Sequence, residues 1–213
     1  MVLQFAKDTD LRSYLKKKQK KGLYKISWSE IIKLAGEITH GLKYLHDKKI
    51  IHRDLHSKNI LIDDGNALIA DFGMSKYLNE SATLSPGGVT GLAYTDPRCF
   101  QRIKPDEKSD VYSLGLLFWE LTSGIPPFSN LYVAAIISEV LKGEGEKIIE
   151  NTPLEYVSLY SKCWSSNSAD RPTLNEILYE LEKLSTQISI EHITNKLVKN
   201  SYSYEESENC WFI

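Results

Sequence analysis

The amino-acid sequence predicts a mainly α-helical fold of the α+β class, a helical bundle around a buried central helix with a small β-hairpin set into it. Three observations predict it. Ile31, Ala35, Ile38, Leu42 and Leu45 recur at helical spacing behind the start signal Ser27-Trp28-Ser29-Glu30. Ser109 to Leu121 is apolar on nearly every side, the pattern of an interior helix rather than a surface one. Between these, Ile60-Leu61-Ile62 and Ala67-Leu68-Ile69-Ala70 flank Asp63-Asp64-Gly65-Asn66, whose Asp-Gly step signals a tight hairpin.

Taken in order, Met1 to Ala6 reads as an apolar strand broken by Lys7-Asp8-Thr9-Asp10, and a short helix over 10–20 follows. The run Lys16-Lys17-Lys18-Gln19-Lys20-Lys21 is either a solvated helix end or a site for an anionic partner. The long helix opened by Ser27 delivers the chain to Ile50-Ile51 and the hairpin. Residues 73–98 are rich in Ser, Thr and Gly around Pro86-Gly87-Gly88, the composition of a mobile loop. After the central helix, which Ile125-Pro126-Pro127-Phe128 ends, helical patterns cover 131–141, 154–164 and 173–184. The last of these opens with a second capping box, Thr173 to Glu176, just after Asp170-Arg171-Pro172. Residues 188–213 read as a polar, disordered tail, most acidic over 201–208.

The 213 residues are 42% hydrophobic and 25% charged with a net charge of −2, so no global bias points to nucleic acid or membrane surfaces. Cys99, Cys163 and Cys210 are odd in number and widely spaced, which fits a reducing compartment, cytoplasm or nucleus. No signal peptide or bilayer-length apolar run is present. Cys210-Trp211-Phe212-Ile213 has the form of a prenylation box, but its middle residues are aromatic and the run before it is acidic, so no membrane anchor is expected.

The chemistry concentrates in Ile51-His52-Arg53-Asp54-Leu55-His56-Ser57-Lys58-Asn59 and in Asp71-Phe72-Gly73, which read H-R-D-L-x-x-x-N and D-F-G. A hydroxyl nucleophile needs an oriented carboxylate beside it, and hard cations take carboxylate and amide oxygens. In this order and spacing the two motifs resemble the eukaryotic protein kinase family, and with Cys163-Trp164 and Asp170-Arg171-Pro172 the resemblance covers residues 1–187. It implies an ATP- and Mg2+-dependent phosphotransferase acting on protein substrates. Asp54 would be the base, Asn59 and Asp71 the magnesium ligands, and Lys58 or His56 the phosphate contact. The backbone of Gln4 and Ala6 would meet adenine, Asp10 the ribose, and Leu61 would floor the adenine pocket. Residues 73–98 would be an activation segment, with Ser81, Thr83, Ser85 and Thr90 as phosphorylation candidates and Arg53 pairing with the added phosphate. Asp110 would anchor the catalytic loop backbone.

The sequence also departs from that pattern. No G-x-G-x-x-G and no V-A-I-K precede residue 51, so residues 1–187 read as a hinge plus large lobe with the small lobe missing, or as part of a longer protein in which Met1 is internal. The position two after Asp54 is His56 rather than lysine, and Gly91-Leu92-Ala93-Tyr94 resembles the tyrosine-kinase-like serine/threonine group. Asp96-Pro97-Arg98 stands where A-P-E is usual, so Arg171 would need another acid, Asp96 or Asp106, while Arg98 turns outward. The rival reading is a non-catalytic docking or regulatory module, against which the three intact residues Asp54, Asn59 and Asp71 argue.

Overall fold

The computed structural model describes residues 9–77, 89–143 and 145–197. Strand β1 (Thr9–Asp10) runs into helix α1 (Leu11–Lys17), capped by Asp10, whose carboxylate accepts from the Ser13 amide at 3.0 Å. The helix stops short of the expected 10–20 because Lys21 and Gly22 both take positive φ, +52° and +77°. That pair forms a two-residue turn of the I′ kind joining β2 (Gln19–Lys20) to β3 (Leu23–Ser27). The basic run thus divides between a helix end and a hairpin.

Helix α2 (Trp28–Asp47) buries Ile31, Ala35, Ile38, Leu42 and Leu45, the face its periodicity marks. Its capping box is only half made. Ser27 Oγ accepts from the Glu30 amide at 3.3 Å, but the Glu30 carboxylate turns to Tyr14 and to Lys18 Nζ (2.9 Å). Strand β4 (Ile50–Ile51) leads into the catalytic-loop segment, and β5 (Ile60–Asp63) and β6 (Asn66–Ile69) close around Asp64-Gly65 at φ +51° and +72°. Strand β7 (Lys76–Tyr77) pairs with β4, and two short helices follow, α3 (Val89–Leu92) and α4 (Pro97–Phe100).

Helix α5 (Glu107–Ser123) is buried from Ser109 to its last residue. Asp106 caps it, not Asp110, whose carboxylate is spent elsewhere. Helix α6 (Val133–Lys142) follows, then α7 (Leu154–Cys163), which packs on α5, and α8 (Leu174–Gln187), which packs on α2 and α7 and opens with the complete Thr173–Glu176 capping box. Helix α5 packs on α7 so closely that a Cβ on Gly115 would fall 2.7 Å from Cys163 Cβ and 2.9 Å from the Tyr160 carbonyl. Only glycine lets the two backbones approach that far.

One expectation is corrected at the C-terminal side. Residues 188–197 are ordered: β8 (His192–Lys196) pairs antiparallel with β3 over five positions, from Leu23↔Lys196 to Ser27↔His192, and Ile193 is fully buried. An isolated polar stretch reads as a tail, but an edge strand with open hydrogen bonds supplies the partner that the segment lacks alone. Residues 198–213 lie outside the described residues. No helix among the described residues is long and apolar enough to cross a membrane.

Candidate active site

The segment carrying Asp54 hangs from helix α5. Asp110, nearly fully buried, accepts from the backbone amides of His52 (2.9 Å) and Arg53 (2.8 Å) and bonds the His46 ring at 2.8 Å. These bonds hold Arg53 at φ +72°, a left-handed conformation that costs a residue with a Cβ about 1–2 kcal/mol. The kink turns Asp54 toward Asn59. Asn59 Nδ2 donates to the Asp54 carbonyl at 2.8 Å and to Asp54 Oδ2 at 3.3 Å, which leaves its amide oxygen as the group offered to a cation.

Asn59 and Asp71 are brought to one end of the β5–β6 hairpin, since the Ala70 amide donates to the Asn59 carbonyl at 2.8 Å. Asp71 is exposed and left-handed (φ +59°), and its Oδ1 accepts from the Gly73 amide at 3.1 Å. Among the described residues no three His, Cys, Asp or Glu side chains converge on one point. An amide oxygen and a carboxylate nonetheless fit magnesium, which takes one or two protein oxygens and fills its octahedron with phosphate and water. Asp10 and Leu61 are cross-strand partners in the β1–β5 ladder, so the ribose and adenine candidates stand side by side. Both Asp10 carboxylate oxygens are engaged by Ser13, and Leu61 is half-buried.

His56 is buried against Asp54, with Nε2 3.6 Å from Oδ1. Burial lowers its pKa, Asp54 opposes the shift and Arg12 adds to it, so the ring is neutral at neutral pH. A neutral, buried imidazole makes a poor phosphate cation, which leaves Lys58, exposed on the same turn, as the better one. Arg53 Nε and Nη2 are buried without a hydrogen-bond partner among the described residues. Gly91 of α3 faces the base: a Cβ there would lie 2.7 Å from Asp54 Oδ1. Gln4, Ala6, Ser81, Thr83 and Ser85 lie outside the described residues, and of Thr90 only the backbone, in α3, is described.

Behind the loop lies a network that no motif announces. Arg12 donates to Ser57 Oγ and to Tyr94 Oη, both at 3.0 Å, and Tyr94 Oη donates to Glu120 at 2.6 Å. Burial raises the Glu120 pKa, against the pull of Arg12 and Tyr94. Its one sequence signal is a carboxylate inside the otherwise apolar stretch of α5. A second cluster settles the two arginines. Arg171, fully buried, forks onto both oxygens of Asp96 (2.7 and 3.1 Å). Arg98 does not turn outward as expected. It bonds the same Asp96 at 2.9 Å and forks onto Asp106 at 2.7 and 3.1 Å, because two acids close by can share two guanidiniums. Burial alone would raise the Asp96 pKa, but hydrogen bonds from Arg171 and Arg98 overcome it and hold the carboxyl below its usual range.

The sequence model of the protein tyrosine and serine/threonine kinase family matches residues 1–181. The dual specificity protein kinase pyk3 of Dictyostelium discoideum is 35% identical over 171 residues, 79% of this chain and 13% of that protein. The serine/threonine/tyrosine-protein kinase HT1 of Arabidopsis thaliana is 32% identical over 185 residues, 86% of this chain and 46% of that protein. The serine/threonine-protein kinase STY17 of the same plant is 33% identical over 170 residues, 79% of this chain and 29% of that protein. The chain therefore spans less than half the length of these relatives. With two carboxylates and an amide gathered at one hairpin end and a family match over most of its length, this chain belongs to the protein tyrosine and serine/threonine kinase family.

Proposed function

We propose that residues 1–187 are the hinge and large lobe of an ATP-dependent protein kinase of the tyrosine-kinase-like group, transferring phosphate to serine and threonine hydroxyls of protein substrates, with tyrosine as the second acceptor. The observation that carries the reading is the Asp54–Asn59 pair, partly buried, hydrogen-bonded and hung on Asp110, at the same hairpin end as Asp71. Asp54 orients the attacking hydroxyl and accepts its proton. Asn59 and Asp71 would hold Mg2+, which with bound ATP supplies the phosphoryl group and neutralises its charge. Lys58 faces the transferred phosphate, while His56 packs the base from behind. Asp10 and Leu61, with the Gln4 and Ala6 backbone, would receive the nucleoside. Arg53, with two buried nitrogens that have no partner among the described residues, is the cation that a phosphate on Ser81, Thr83, Ser85 or Thr90 would satisfy.

No glycine-rich cover or V-A-I-K lysine occurs in residues 1–213, so this chain alone is expected to give no detectable transfer. A longer version that carries those parts should phosphorylate protein, and Asp54→Asn should lower its rate by about 10²–10⁴-fold with an unchanged melting curve. Full activity of that variant overturns the role of Asp54. Phosphoamino-acid analysis dominated by phosphotyrosine overturns the acceptor assignment.

A further inference from the structure

The β2–β3–β8 sheet buries Tyr24, Ile26 and Ile193 on its inner face. Residues directly opposed in antiparallel ladders share a face, so Lys20, Leu23 and Lys196 stand in one row across the three strands on the other face. Lys25, opposite Thr194, stands two positions further along that same face. Lys20, Leu23, Lys25 and Lys196 are exposed, and Lys16, Lys17 and Lys21 are exposed beside them, on the end of α1 and in the turn. Lys18 has Glu30 at 2.8 Å, but none of the exposed lysines has an acidic partner among the described residues. Lys20 and Lys196 both stand opposite Leu23, one on each side of it, so their like charges face each other across that leucine. A row of cations around an exposed leucine is therefore a surface that an anion with apolar neighbours would relieve.

The same chain supplies such a segment. Leu197 donates its amide to the Gly22 carbonyl at 2.8 Å, which sets Leu197 at the edge of this lysine face. Residues 198–213 carry Glu205, Glu206 and Glu208, followed by Trp211-Phe212-Ile213. Roughly eight residues separate Leu197 from Glu205, a reach of up to about 26–29 Å when extended, ample for a return across a three-stranded sheet. Surface ion pairs are individually weak, but a short tether holds the partner at an effective concentration of order millimolar. We propose that the exposed lysine face of the β2–β3–β8 sheet is the docking site of this chain's own acidic segment, Tyr204–Glu208, with the aromatic residues after it covering Leu23.

The test is zero-length carbodiimide coupling of the whole chain, residues 1–213, at low salt, with mass spectrometry of the monomer fraction. Glu205, Glu206 and Glu208 are expected to couple to Lys16, Lys17, Lys20, Lys21 or Lys196 in preference to Lys33 and Lys183, and about 0.5 M NaCl should suppress the coupling. Reversing two charges, Lys20→Glu with Lys196→Glu, should lower coupling to the remaining lysines of the face by about fivefold or more. The wild-type coupling pattern decides the matter even if that variant folds poorly. Coupling spread evenly over all lysines overturns the proposal, as does coupling found only in dimers, which would assign the face to a second copy. A poly-glutamate peptide added in trans that labels this face while the chain's own glutamates stay unlabelled would assign it to an external acidic partner instead, and also overturns it.

Discussion

Asn59 and Asp71 stand at the same end of one hairpin, yet the fold treats them differently. Asn59 is buried, its amide nitrogen is spent on Asp54, and the loop before it is hung from the central helix by Asp110. Asp71 is exposed and left-handed, its carboxylate bonded to its own turn, and Phe72 beside it is 51% exposed against the His52 ring. The Asp54–Asn59 side, the proposed base, is thus held by tertiary structure that reaches across the chain, and Asp71, the proposed cation ligand, by a local turn. Groups that must be preset before reaction belong on the first kind of support, and a ligand that adjusts to an arriving cation belongs on the second.

Four measurements would break or sharpen that contrast. Asp110→Ala should be the most damaging, because it strands two buried backbone donors and the His46 ring together. We expect a loss of about 3 kcal/mol or more, seen as a melting temperature lower by about 6–12 °C. A loss below about 1 kcal/mol would mean the loop is held by something else. Gly91→Ala should be milder and confined to chemistry. Its new Cβ would sit 2.7 Å from Asp54 Oδ1, so the carboxylate must move, and turnover in a longer, active version should fall about 10–100-fold with little change in melting.

Acid should act on the Asp96 cluster next. Its folded pKa is lowered, so the stability it contributes is present above the ordinary value of 3.8 and is lost as pH falls through the lowered one. Asp96→Asn should therefore be less stable at neutral pH, with a shallower fall in melting temperature as the pH drops below about 4. Parallel acid profiles for the two proteins would remove Asp96 from the account. The smallest effect belongs to Asp71→Asn, expected to shift stability by no more than about 0.5 kcal/mol while abolishing magnesium-dependent nucleotide binding in the longer version. A large fall in stability would place Asp71 on the same rigid support as Asn59.

The parts of this architecture that rest on local chemistry were legible in the residues. The Asp64-Gly65 turn, the α2 stripe and the all-round burial of α5 are each short-range consequences of residue type and spacing. Arg171 was expected to seek Asp96 or Asp106 and it takes Asp96, since a buried guanidinium cannot stay unpaired. What was not legible depends on partners far away in the chain. Glu30 leaves its capping box for Tyr14 and Lys18, and Arg98 stays inward because Asp106 lies within its fork. Strand β8 exists because β3 offers an edge, and Glu120 is tolerated inside α5 because Tyr94 and Arg12 arrive from other elements. Each of these is decided by a contact that periodicity and spacing do not encode.

The pairing of β3 with β8 also sets an order of events during synthesis. Leu23 leaves the ribosome long before its ladder partner Lys196, which follows it far along the chain. At about 5–20 residues per second the early strand waits on the order of ten seconds or more for its mate. Ile26, buried in the finished protein against Ile193 of β8, lacks that cover through the interval, while Tyr24 gains the end of α5, whose Leu121 carbonyl its hydroxyl meets at 2.8 Å, well before β8 arrives. Contacts between residues so far apart in the chain form late, so this sheet is a latch closed after the core rather than a seed for folding.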